Sequence, residues 1–228
     1  MQKRIIVLSL FLVFTCAFLS VPQAYAYWDT TIDVLVVESE RFTAFADFLN
    51  GYYRWLWYWD LDDAFNDFWS TFQIKFALRG VIKNWHIDSI SDNAYYVLKE
   101  AISDFKYKSG ETTYNGYVID LLIVFVDWDE IDMIGFSPPD WKALIISNFP
   151  FGSVPMVNVF VHELSHQFYA THCNDYNCVM WGGGLVCWKV TWVCQKHFDE
   201  INTNRNRFDR WVEVPIRRGG GGGRCFLL

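Results

Sequence analysis

Residues 162–172 read His-Glu-Leu-Ser-His-Gln-Phe-Tyr-Ala-Thr-His and hold three of the five histidines in the 228-residue chain. His162 and His166 are four positions apart. On an α-helix, at about 100° per residue, they fall within about 40° of each other on one face, so two imidazoles on adjacent turns can grip one metal ion. Glu163 sits on the shoulder of that face, where its carboxylate can accept a proton from a metal-bound water. Residue types in this pattern point to metal-assisted hydrolysis, with zinc lowering the pKa of bound water to about 7.

His172 follows His166 by six residues. If the helix simply continued, its ring would point about 80° to the other side of His162. It can join the same metal only if the chain turns sharply after the second histidine. The metzincin pattern, H-E-x-x-H-x-x-G-x-x-H, has this arrangement. Tyr169 stands at the glycine position. Glycine is favoured there because the turn calls for a left-handed backbone, and another residue pays about 1 kcal/mol or a little more to adopt it.

The run continues Cys173-Asn-Asp-Tyr-Asn-Cys178-Val-Met180. Residues 162–180 resemble the archaemetzincins, whose signature extends through H-C, four residues and C-x-M, and every fixed position matches except Tyr169. The resemblance implies a metzincin-like zincin domain in the α/β (α+β) class: a mixed twisted sheet, an active-site helix and a small C-terminal subdomain. It implies zinc on His162, His166 and His172, Glu163 as general base, and Met180 as the Met-turn residue beneath the imidazoles. It also implies a second zinc on cysteines, but the family's closing C-x-x-C is missing, and Cys187 and Cys194 stand there instead. Some metzincins carry a Tyr two residues after the Met, where this chain has Gly182.

Two other readings stay open. A thermolysin-type site would take Glu200 or Glu213 as third ligand. A non-catalytic exported zinc-binding protein would need the histidines but not Glu163. Cys173 could also close the histidine site as a fourth ligand. His86 and His197 attract no role.

Lys3 and Arg4, the apolar run Ile5 to Leu19 and Ala24-Tyr25-Ala26 read as a secretory signal peptide over residues 1–26. Its apolar run is shorter than the ~20 residues of a membrane span, and no other segment is long and apolar enough to span a bilayer. The peptidase domain is expected over 27–216 and a disordered glycine-rich tail over 217–228. Removing Lys3 and Arg4 takes the formal charge from −7 to −9. An acidic chain argues against a nucleic-acid partner, and the resemblance implies a peptide or protein substrate. In an exported protein Cys173, Cys178, Cys187 and Cys194 are expected to form two disulfides, with Cys225 left over. The last four residues mimic a prenylation box, a coincidence in an exported chain.

The elements that must position this site follow from periodicity. Ile32 to Val37 reads as a buried strand and Phe42 to Phe72 as a helix in two pieces, broken at Asn50-Gly51 or at Asp60 to Asp63. Phe76 to Trp85 reads as a second strand and Asp92 to Phe105 as a helix capped by Asp92 or Ser91. Tyr117 to Val126 is the best central-strand candidate and Leu144 to Ile146 a further strand. The resemblance to metzincins implies that residues 135–147 occupy the place of a cleft-edge strand, whose free backbone groups can take a peptide as an added strand; a plain α/β sheet with an ordinary edge fits the same order. Pro155 opens the histidine helix. The aromatic run Tyr52 to Trp59 is expected to pack a helix on the sheet, with an exposed membrane-interface or substrate-facing surface as the alternative.

Overall fold

A computed structural model of the chain describes residues 30–48, 51–88, 91–148, 155–182 and 193–208. The segment expected to be a signal peptide, the glycine-rich tail, Cys187, Glu213 and Cys225 lie outside the described residues. A five-stranded sheet runs in the order β2 (Ile74–Trp85), β1 (Thr30–Ser39), β5 (Leu121–Asp127), β7 (Ala143–Asn148), β6 (Gly135–Phe136). The first four strands are parallel and β6 is antiparallel to β7. A two-stranded ribbon, β3 (Thr113–Tyr114) with β4 (Tyr117–Val118), precedes the central strand. This is the mixed α/β architecture expected of the sequence, with the ribbon taking the first residues of the run that had read as strand from Tyr117.

The alternation of apolar residues explains the layering. Ile32, Val34 and Val36 of β1 enter one core, and Leu35 and Val37 enter the other. The first core is covered by α1 (Glu40–Asp47), α2 (Tyr52–Phe72), α4 (Met156–His166) and α5 (Gln195–Thr203). The second is covered by α3 (Ala94–Asp104), through Ala94, Val97, Leu98 and Ala101. In β5 the six residues Leu121 to Val126 are all buried, as a strand covered on both faces must be.

Helix boundaries follow capping chemistry. Ser39 accepts from the Phe42 amide at 3.1 Å and starts α1. The break before α2 falls at Gly51, in a left-handed conformation with φ 81°, and not at Asp60 to Asp63, which lie inside α2. Leu61 and Ala64 keep the buried spacing of the helix through that acidic stretch, so propensity yields to packing. Asn93, rather than Asp92 or Ser91, caps α3 by accepting from the Tyr95 amide at 3.0 Å.

The aromatic run divides by helical face. Trp57 is buried among Phe42, Phe125 and Phe160. Tyr58 donates to the fully buried Glu38 carboxylate at 2.9 Å, which also receives Arg54 at 2.8 Å, so α2 is pinned to the end of β1. Tyr52, Trp55 and Trp59 are exposed, with Tyr52 stacked on Trp55 and Trp55 edge-on to Trp59. The packing expectation therefore holds on one face of the helix, and the other face leaves these three rings exposed. No helix among the described residues is long and apolar enough to cross a membrane.

Candidate metal centres

Helix α4 ends at His166, and the chain turns at once. Tyr169 takes φ 60°, the left-handed conformation that the spacing demanded and glycine usually supplies. Its ring offsets the strain from outside the turn. The Tyr169 hydroxyl donates to Asp140 at 2.9 Å, and the Arg207 guanidinium lies 4.4 Å over the ring centroid. Arg207 also donates to the Gln167 and Pro139 carbonyls, tying the turn to the segment before β7.

The turn brings the three histidines together. The Nε2 atoms of His162, His166 and His172 are each 3.2 Å from the other two. Three ligands at the usual zinc distances in a tetrahedral shell stand about 3.3–3.4 Å apart, so the spacing suits one zinc ion. Tautomers are set from behind. The Nδ1 of His162 lies 2.7 Å from the Val179 carbonyl, and that of His166 lies 2.7 Å from the Ala170 carbonyl. A carbonyl can only accept, so each Nδ1 carries the proton and each Nε2 presents a lone pair. Burial pushes the pKa of both rings down to about 4, which keeps them neutral and ready to ligate. Neutral nitrogens facing one another at this distance repel unless a cation sits between them, and that fits the metal.

Glu163 is buried beside them, and burial pushes its pKa up to about 8. Its carboxylate lies against Gly135 of the edge strand. A Cβ at Gly135 would come within 2.6 Å of Oε1, so only glycine leaves the carboxylate its place. Ser137 donates to the Glu163 carbonyl at 2.7 Å and accepts from Gln167 at 2.7 Å, while Gln167 also donates to the Ala143 carbonyl at 3.1 Å. This buried chain staples the edge segment to α4. In sequence Gly135, Ser137 and Gln167 carried no signal, because their function lies in contacts 24 to 30 residues away.

The cysteines depart from expectation. Cys173, Cys178 and Cys194 are free thiols rather than disulfide partners, and His197, to which no role attached, joins them. Its Nδ1 lies 3.2 Å from the Cys178 sulfur and 3.1 Å from the Cys194 sulfur. The ligand atoms of all four residues fall within 4.8 Å of one another. Three sulfurs and one imidazole are a structural zinc donor set. Cys194-x-x-His197 has the same spacing as the expected C-x-x-C, and that spacing is the readable signal. Cys173 thus belongs to this cluster and does not close the histidine site. Burial pushes the Cys178 thiol up to about 12. It also lowers the pKa of His197.

Glu200 is not a third ligand of the histidine site. Its carboxylate accepts from the Thr171 amide at 3.1 Å and from the Thr171 hydroxyl at 3.3 Å. His86 is exposed and pairs with Glu40 at 2.9 Å. Met180 is fully buried, one residue beyond the carbonyl that holds His162.

No protein-family model matches this chain, and no curated protein matches it in sequence. Solved structures do. A crystal structure of archaemetzincin from Methanopyrus kandleri superposes with a TM-score of 0.54 at 15% identity, covering 82% of this chain and 99% of that one. A chain in the structure of a chaperone–substrate complex matches with a TM-score of 0.54 at 14% identity, covering 79% of this chain; this chain spans 35% of its length. At these identities the likeness is one of fold, a mixed α/β domain of metzincin-like form.

Proposed function

We propose that this protein is an exported zinc-dependent peptidase. One observation carries the reading: three lone-pair nitrogens converge at 3.2 Å beside a buried carboxylate that is held against the edge strand of a metzincin-like sheet. Export is an expectation from residues 1–26, which have the charge and apolar pattern of a signal peptide.

His162, His166 and His172 would hold the zinc, which when bound supplies an acidified water and polarises the substrate carbonyl. The protein's own groups do the rest. The Val179 and Ala170 carbonyls keep two imidazoles in the ligating tautomer. Glu163 takes the proton from the attacking water and returns it to the leaving amine. Gly135 leaves space for that carboxylate. The outer edge of β6, last in the sheet among the described residues, offers backbone groups along which an extended peptide can lie. Met180 forms the apolar floor of the turn.

The second cluster, Cys173, Cys178, Cys194 and His197, would hold a structural zinc. This also reconciles thiols with export, because metal protects them from oxidation. A quenched-peptide cleavage assay on protein of measured metal content tests the reading. The expected result is two zinc ions per chain and cleavage abolished by chelator. Zinc-loaded protein that cleaves none of a broad peptide library would refute it.

A further inference from the structure

The two clusters are not independent neighbours. Each segment that gives a ligand to the Cys/His cluster also gives a contact to the histidine cluster. Cys173 directly follows His172 in the chain. Cys178 precedes Val179, whose carbonyl holds the Nδ1 of His162 at 2.7 Å. His197 lies on α5 between Lys196 and Glu200, and both of these reach the third histidine's segment. Glu200 accepts from the Thr171 amide at 3.1 Å and its hydroxyl at 3.3 Å. Lys196 donates to the Thr171 hydroxyl at 2.7 Å and to the His172 carbonyl at 3.3 Å. The Glu200 carboxylate also stands 3.9 Å from the His197 Nε2.

His172 needs such support more than its partners do. His162 and His166 are fixed by the hydrogen bonds of α4 and are largely buried, whereas His172 is exposed and lies beyond the helix end. The backbone on either side of it is held from elsewhere. Glu200 and Lys196 grip Thr171 and His172, and Cys173 exchanges bonds of 2.9 Å with Met180 and Gly182. Gly182 packs so close that a Cβ there would come within 3.2 Å of the His172 Cβ. Every one of these anchors is within four residues of a Cys/His ligand.

We propose that Glu200 and Lys196 are positioning residues for His172, and that closing the Cys/His cluster seats them, so that metal at the sulfur-rich centre raises the affinity of the three-histidine centre. This rests on both clusters binding metal, as proposed above. It gives the second centre a part in activity that does not require any contact with substrate.

The test is a cobalt titration of the full chain in which the two centres are read separately, because only the sulfur-rich one gives a thiolate-to-cobalt absorption. Outer-shell partners of metal ligands are worth about 10- to 100-fold in affinity. Glu200→Ala is expected to weaken metal at the histidines by about 10-fold while the thiolate absorption still saturates as in the unaltered protein. In the unaltered protein, filling the sulfur-rich centre first should tighten the second binding event by a similar factor. Equal affinities at the histidines with and without the Glu200 side chain would overturn the proposal. Should Glu200→Ala fail to fold, Lys196→Met removes the other anchor from an exposed position and is read the same way. Peptide cleavage is not needed for this readout, so loss of the peptidase reading leaves a distinct signature: normal coupling without hydrolysis. Failure of the histidines to bind cobalt at all would overturn both.

Discussion

The histidine cluster and the Cys/His cluster are adjacent, share the His172–Cys173 junction and differ in how they are assembled. In the first, His162, His166 and Glu163 lie on one regular element, α4, and the turn after it brings in His172. In the second, the ligands come from a loop and from a helix that begins at Gln195, with Cys178 and Cys194 in contact across 16 residues. A site on a helix is specified by local periodicity. A site made of loops is specified by what folds back on it.

That difference can be pressed from several sides. The largest expected effect is from His166→Ala, which removes a ligand from the rigid cluster. Metal affinity there should fall by well over the ~100-fold of outer-shell changes, with the thiolate absorption of the cobalt form unaltered. Next is Cys178→Ser, which breaks the loop-built cluster. Zinc present at 1,000 times its Kd stabilises a folded protein by about 4.1 kcal/mol. The variant should lose the share of zinc-dependent thermal stability that this cluster supplies and keep the share due to the histidine centre, measured by unfolding with and without added metal. If stability were equally zinc-dependent in this variant, the loop cluster would not be the structural one.

A smaller effect is expected where the rigid cluster meets the edge strand. Gly135→Ala places a Cβ where the Glu163 carboxylate now lies. A general base contributes about 10²–10⁴-fold, and displacing it should remove part of this, about 10- to 100-fold in kcat, with zinc content unchanged. The smallest is Met180→Leu. The swap nearly conserves volume and should reduce stability by less than about 1.5 kcal/mol, with cleavage only modestly slowed. A large loss of metal in that variant would mean that Met180 does more than fill space.

The same contrast explains what could be read from the residues alone. The order of strands and helices, the helix end after His166 and the left-handed turn at Tyr169 all follow from spacing and backbone sterics. The continuity of α2 through Asp60 to Asp63 was less legible, because buried neighbours, not local propensity, decided it. In sequence His197 is a lone histidine with no metal pattern of its own, and export favours disulfides among the cysteines. In the folded chain it stands with Cys173, Cys178 and Cys194 at distances that suit a shared ion better than sulfur–sulfur bonds. The anchoring roles of Gly135, Ser137, Gln167, Lys196 and Glu200 depend on contacts between distant segments, which no local pattern encodes.

In the proposed peptidase Glu163 would act on a water held at the histidine cluster without itself holding the metal. Glu163→Gln keeps the shape of the side chain and removes its capacity to accept a proton. The measurement is zinc content and peptide cleavage on the same preparation of this variant beside the unaltered protein. The account predicts the same zinc content in both and a fall in kcat of about 10²–10⁴-fold. Cleavage at the unaltered rate, or loss of zinc with activity regained on adding excess metal, would contradict it.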